Sequence, residues 1–309
     1  MINAICIGEA LVELRPLGPT SLARGVAGDA YNTAVYLKRS LARDGEVSFL
    51  TVVGDDPLSD WLVADFRRQD IATGLVMTTP GALPGLYLIE LDQHGDRSFH
   101  YWRGESAARR WMTELEESGN PETLVGADLI FISGLSLAIL PPEDRGKALA
   151  LLASLKGRVG LIAFDPNVRP RLWTNQKAAR ETLTAACALA DVVLASDVDG
   201  EWLLEEADPR AQIALYRDLG CSEVAITIGE DGVVVWAEGG FTTAPSAARE
   251  VVDTSGAGDS FNGAYLAARL RGASPAIAAR EGQTLAARVV ATSGALIAPE
   301  LSHPHIPTP

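Results

Sequence analysis

The chain has 309 residues, 47% hydrophobic and 21% charged, which excludes a disordered or fibrous polymer and leaves room for one large core. A formal net charge of −14 weighs against any general affinity for nucleic acid or anionic membrane, which needs clustered Lys and Arg. Cys6, Cys187 and Cys221 stand far apart and suit neither a disulfide framework nor a metal knuckle, so each reads as a small buried hydrophobe in a cytoplasmic protein.

No basic leader or cleavage site accompanies INAICIGEALVEL at the start, and apolar runs such as 129–140 fall short of the roughly 20 residues that cross a bilayer. Neither export nor a membrane span is expected. Residues 4–7 form a short apolar run closed by Gly8 and predict a buried first strand, after which 9–14 alternate. Residues 29–40 predict a helix, with Gly28 just before it and Asp29 at its start. Residues 47–53 are the next β-like run; Gly54-Asp55-Asp56-Pro57 is a turn with capping chemistry, and 59–69 an amphipathic helix.

Two alternating segments, 85–91 and 98–103, joined across 92–96, predict an antiparallel hairpin with glycine in its loop. Beyond it, short apolar strands at 129–133, 160–165, 192–195 and 224–228 alternate with helical stretches, the pattern of a parallel sheet covered on both faces. Residues 232–236 add a strand, and 260–270 and 275–290 read as helices. In the proline-rich tail 302–309, His303 and His305 read as solvated rather than metal-bound. With no internal repeat or low-complexity linker, the expected layout is one α/β domain over 1–309, with an inserted β lid from about 9–27 and 83–103.

Residues 251–263, VVDTSGAGDSFNG, combine a strand-like approach, a glycine-rich turn and a helical exit. Such a junction points free backbone N–H groups beyond the helix start, where the dipole also favours negative charge. Gly256 and Gly258 let the backbone approach a phosphate closely. Asp259 would repel a resting phosphate, so its place suits a different role, that of taking the proton of a substrate hydroxyl as that oxygen attacks phosphorus. For a bare GxG the plain alternative is a turn with an aspartate cap; the complete DTSGAGD string argues for the chemistry. Neither GxxxxGK[ST] nor GxGxxG after the first strand is present, which sets aside P-loop and dinucleotide readings.

DTSGAGDSFNGAYLAARL resembles the C-terminal motif of the PfkB (ribokinase-like) carbohydrate kinases. IGEALVEL, AGDAYNTAVYLKR, VGDDPLSDWL and FDPNVRPRLW resemble further segments of that family in the same order. Within it, GLYLIELDQHGDRSFHYWRGESAAR is most similar to the 2-keto-3-deoxygluconate kinases. The resemblance implies a ribokinase-like α/β fold, with a mainly parallel central sheet, helices on both faces and a small β-sheet lid. It also implies ATP with Mg²⁺, phosphorylation of a primary sugar hydroxyl, and a homo-oligomer; a monovalent cation requirement stays open. Asp259 then maps onto the catalytic base, and Gly256, Ala257 and Gly258 onto the anion hole.

Tyr87 and Arg103 lie on the two arms of the predicted hairpin, and Tyr101 shares a strand face with Arg103. An arginine there can grip a sugar-acid carboxylate with two hydrogen bonds. Arg169 follows Asp165-Pro166-Asn167 at the end of a predicted strand, where open α/β sheets place their ligands. The same resemblance implies that Gly28, Tyr87, Tyr101, Arg103, Arg169 and Asp259 contact the sugar acid, with Asp29 and Asn32 hydrogen-bonding its hydroxyls. It sets Ser196, Thr227, Gly229, Gly232, Gly256 and Gly258 against the nucleotide, and Asp199 beside Mg²⁺ through water. The chain departs from the usual family pattern at Ala27, Tyr31 and Ser196. A fructokinase and a non-catalytic sugar sensor are the alternative readings.

Overall fold

A computed structural model of the chain describes residues 1–18, 20–91, 97–118, 120–248 and 250–302. The turn expected at 92–96 and the tail histidines His303 and His305 lie outside the described residues. In chain order the strands are β1 (Ile2–Ile7), β2 (Leu11–Gly18), β3 (Ser21–Ala27), β4 (Gly45–Val53), β5 (Val76–Thr78), β6 (Leu86–Leu91) and β7 (Arg97–Trp102). They continue with β8 (Leu129–Ser133), β9 (Leu161–Asp165), β10 (Val192–Ser196), β11 (Glu223–Thr227), β12 (Val233–Ala237) and β13 (Gly240–Ala244).

Nine strands form one sheet in the order β13-β12-β11-β10-β9-β8-β1-β4-β5. Every neighbouring pair from β11 to β5 is parallel, while β12 and β13 turn back antiparallel at one edge. Parallel strands are joined by crossovers that lay helices on the faces, so their strands must be apolar at consecutive positions. In β1, Ile5 and Ile7 pack on one face with Leu152 of the helix Pro142–Leu155 and Leu183 of Gln176–Leu189. Ala4 and Cys6 pack on the other with Val35 of the helix Asp29–Leu41 and Phe261 of Ala257–Leu270. Because β1 lies between β4 and β8, the chain leaves it in opposite directions along the sheet, and such a switch point opens a crevice at the strand carboxyl ends.

The remaining strands form a second sheet in the order β3-β2-β6-β7. β2–β3 and β6–β7 are antiparallel, as expected for the hairpin of 85–91 and 98–103. A parallel seam joins the two halves, pairing Val12 with Leu86, Glu13 with Tyr87 and Leu14 with Leu88. This sheet buries Leu11, Ala27, Tyr87 and Ile89 in a small cluster of its own and leaves Leu22, Phe99, Tyr101 and Trp102 exposed.

One expectation is corrected. Val251 and Val252 form no strand before the glycine turn: both are exposed, and the amides of Val252 and Asp253 donate to the Val290 carbonyl at 2.7 and 3.0 Å. The segment is satisfied by the end of the helix Pro275–Val290 and not by a neighbouring strand. Among the described residues no helix is long and apolar enough to cross a membrane.

Candidate active site

The helix Ala257–Leu270 begins on Gly256, which adopts the left-handed region at φ 74° and offers no side-chain cap. A Cβ here would also meet the Ala295 carbonyl oxygen at 2.6 Å, so both conformation and space demand glycine. Asp253 braces the turn, its Oδ1 accepting from the Ser255 amide at 3.0 Å and its Oδ2 from the Gly294 amide at 2.6 Å. The amides of Gly258 and Asp259 find no acceptor among the described residues. They add to the positive end of the helix dipole. Gly258 is helical, and a Cβ there would meet nothing within 4 Å. Gly258 lines the cavities at this helix start, and its missing side chain leaves them unobstructed there.

Asp259 is half-buried in the first turn of this helix, and its Oδ2 accepts from Asn32 Nδ2 at 2.8 Å. Burial pushes its pKa up to about 7 and the charge of Asp29 adds to the rise, while the Asn32 hydrogen bond and Arg169 oppose it. A carboxylate so poised exchanges protons near neutrality, which suits a general base.

Two neighbouring carboxylates are likewise held by neutral amides. Asn262 Nδ2 donates to Asp165 Oδ2 at 2.8 Å, and Asn167 Nδ2 donates to Asp29 Oδ2 at 2.5 Å. Asp165 closes β9 and also accepts the Asn167 amide at 2.9 Å. Its own burial, then the charges of Asp199, Asp29 and Asp259, push its pKa well above the usual carboxylate range. Asp29 Oδ1 and Asn32 Oδ1 are buried without a partner, two acceptors that hydroxyl donors would satisfy. Gly28, at φ 141°, starts the Asp29–Leu41 helix where a Cβ would collide with the Glu9 carbonyl.

These residues line a cavity of about 550 Å³ together with Tyr87, Tyr101, Arg103 and Arg169. Tyr87 and Tyr101 are cross-strand partners with ring centroids 5.4 Å apart. Tyr87 is buried and donates its hydroxyl to Glu13, whereas Tyr101 is exposed. Arg103 lies one residue past β7 and is buried in an ion pair with Glu9, whose side chain is 0% exposed. Glu9 Oε1 and Arg103 Nε remain without hydrogen bonds. Arg169 is exposed, donates to the Val168 carbonyl at 3.0 Å, and enters no ion pair among the described residues. Of the two arginines, Arg169 therefore brings the uncompensated charge.

A second cavity, of about 480 Å³, shares Thr227, Thr254, Ala257 and Gly258 with the first, so the helix start forms a common wall. Gly229 and Glu230 line it, as do Gln283, Ala286 and Val290 of the helix Pro275–Val290. Ser196 lines the first cavity and caps the helix Asp197–Leu204 through the Asp199 amide. Gly232 is among the lining residues of neither; at φ 100° it turns the chain into β12, where a Cβ would collide with the Ala244 carbonyl. Both carboxylate oxygens of Asp199 are engaged, by the Ser196 hydroxyl at 2.7 Å and the Val168 amide at 2.8 Å. Among the described residues no group of three His, Cys, Asp or Glu is placed to hold a metal ion.

Sequence reasoning passes over Glu9, Asn167, Asn262 and Gln283 as site residues. The spacing Asp-x-x-Asn at 29–32, repeated at 259–262, is a signal that marks Asn262. Nothing local marks Gln283, which only the packing of the last long helix brings to the cavity.

The sequence matches the pfkB family carbohydrate kinase profile over residues 1–301. It is 35% identical over 300 residues to a 2-dehydro-3-deoxygluconokinase of Dickeya dadantii (strain 3937), covering 96% of each chain. It is 34% identical over 296 residues to the protein of that name from Escherichia coli (strain K12), covering 94% of this chain and 96% of the relative. The crystal structure of a PfkB protein from Polaromonas sp. JS666 superposes with a TM-score of 0.81 at 25% identity, covering 94% of this chain and 96% of that one.

Proposed function

The chain belongs to the pfkB family of carbohydrate kinases, and from that premise we propose that it transfers the γ-phosphoryl group of ATP to the terminal hydroxyl of 2-keto-3-deoxygluconate (2-dehydro-3-deoxygluconate). Asp259 carries this reading: it stands half-buried, oriented by one neutral amide, at the helix start that two cavities share. The sugar acid takes the first cavity and the nucleotide the second, so that hydroxyl and γ-phosphorus meet over Ala257-Gly258. Ionised Asp259 accepts the hydroxyl proton as the oxygen attacks phosphorus, and the amides of Gly258 and Asp259 stabilise the charge on the phosphoryl group in flight.

The sugar acid is held by complementary chemistry. The orphan oxygens of Asp29 and Asn32 accept from its hydroxyls. Arg169 supplies the positive charge for its carboxylate, and Arg103, neutralised by Glu9, offers oriented donors. Thr227 and Gly229 flank the nucleotide, with Phe261 and Val290 as apolar walls for its base. Asp29, Asp165 and Asp199 line the first cavity without forming a protein cage, which fits a hydrated divalent cation such as Mg²⁺ arriving with the nucleotide. Bound there, it would neutralise phosphate charge.

The small sheet serves in this reading as a lid, and its exposed Leu22 and Trp102 suit contact with a second copy of the chain. Three free, buried cysteines suit a reducing, cytoplasmic setting. A panel of sugars assayed with ATP and Mg²⁺ tests the reaction, and the sugar acid is expected to turn over faster than fructose at equal concentration. Faster turnover of fructose would make the protein a fructokinase, and saturable sugar binding without ADP release would make it a sensor.

A further inference from the structure

We propose that the three aspartate–asparagine pairs close into one positioning ring, in which Asn262, Asp165 and Asn167 fix Asp259 against the substrate hydroxyl. Each of three segments contributes one carboxylate and one amide. Asn32 reaches from the Asp29–Leu41 helix to Asp259, Asn262 from the Ala257–Leu270 helix to Asp165, and Asn167 from the end of β9 back to Asp29. The partners are 227, 97 and 138 positions apart in the chain, so the ring ties together elements with no local connection. Asn32, Asn262, Asn167 and Asp165 are all buried, at 4, 3, 7 and 9% exposure.

Amides do here what cations would not. A lysine or arginine on Asp259 would orient it but strongly favour its ionised form, weakening it as a base. A neutral donor orients it with a smaller loss of basicity. The pairs are joined through the three segments that carry them, and at Asp165 also through the Asn167 amide, so a shift of one segment on loss of one pair is felt at the next. The charged and titratable groups that interact electrostatically with Asp259 include Asp29, Asp165, Arg169 and Tyr36.

The ring acts only if Asp259 is the base, as proposed above. Asn167 provides a test that separates backbone from side chain, because at φ 32° it occupies a conformation that glycine adopts at no cost. Asn167→Gly should keep the fold and the KM for ATP yet lower kcat by about 10- to 100-fold. The second test exchanges partners: Asn262→Asp alone sets two buried carboxylates face to face and should lose a similar factor. Adding Asp165→Asn restores one acid and one amide and should recover kcat to within about fivefold of the parent.

A kcat within about twofold of the parent in Asn167→Gly overturns the ring. So does an exchanged pair that melts like the parent but is no faster than Asn262→Asp. If the exchanged protein does not fold, Asn167→Gly decides alone. Both assays use whichever sugar the parent turns over fastest, so a wrong substrate leaves them intact. A parent that turns over no sugar sinks the proposed reaction, and the ring is then read by ¹⁵N NMR. The Asn32 side-chain amide should shift in Asn167→Gly although Asn32 and Asn167 share no hydrogen bond, and an unmoved resonance overturns the coupling.

Discussion

Asn32 donates its side-chain amide to Oδ2 of Asp259 across 2.8 Å, so the carboxylate is oriented without being neutralised. With the pKa of Asp259 pushed up to about 7, kcat/KM for the sugar should fall about tenfold per pH unit below that value and level off above it. The Asn32 hydrogen bond favours the ionised form, so Asn32→Leu should move this limb to higher pH. Initial rates across the neutral range check both, and a flat profile well into acid would remove Asp259 from its role.

Asp259→Asn should lower kcat by about 10³-fold or more while keeping sugar affinity, since shape remains and the proton acceptor is gone. The same change should stabilise the fold. The folded-state pKa of Asp259 is raised, so its contribution to stability is fully present below the unfolded carboxyl's pKa and lost as pH rises through about 7. Asparagine has no such loss, and its advantage should grow across that window to a few kcal/mol, on the order of 1 kcal/mol for each pH unit crossed. Denaturant unfolding of both proteins in mild acid and mild alkali measures it; equal stability at both would refute the raised pKa.

Gly256 and Gly258 should fail differently. Gly256→Ala forces a left-handed alanine against the Ala295 carbonyl and should cost about 1–3 kcal/mol of stability. Gly258→Ala meets no protein atom within 4 Å and should fold as the parent does. Because Gly258 lines both cavities, its added methyl group should instead crowd the phosphoryl group and lower kcat by about 10- to 100-fold. Melting curves paired with steady-state rates distinguish them, and a fully active Gly258→Ala would show that no phosphoryl group approaches there.

Arg169 and Arg103 differ in what they can lend a sugar acid. Arg169→Ala should raise KM for the sugar acid by about 30- to 100-fold, the loss expected for a charged hydrogen-bonded pair, and change little for neutral fructose. Glu9→Gln, by contrast, leaves the buried Arg103 guanidinium uncompensated and should cost about 3–5 kcal/mol of stability. Comparing KM for both sugars, and unfolding for both variants, settles the division of labour; equal KM effects on acid and ketose would remove Arg169 from carboxylate recognition.

Some of this molecule was legible in its sequence for physical reasons. β1 and β8 to β11 are covered on both faces, so they read as unbroken apolar runs such as that of Leu129–Ser133. The helix start at Gly256 to Asp259 was legible because its glycines and carboxylate are contiguous. Val251 and Val252 misled because β-branched residues read as strand wherever they stand, and these two are exposed. The parallel seam of β2 with β6 left no local trace, nor did the partners of Asn167 and Asn262, because each joins distant stretches of chain. The alternation at 9–14 showed half of a pairing whose other half lies beyond β5.

That seam has a consequence for how the protein reaches its native state. Glu13 and Tyr87 meet across 74 positions of sequence, and between them the chain must lay down β3, β4 and β5 and the helices that cover them. Closing so long a loop costs entropy that only prior order in the intervening elements reduces, so the small sheet is completed late in folding. Catalytic competence should therefore be among the last properties a refolding chain regains, after the far-ultraviolet signal of the central sheet has already returned.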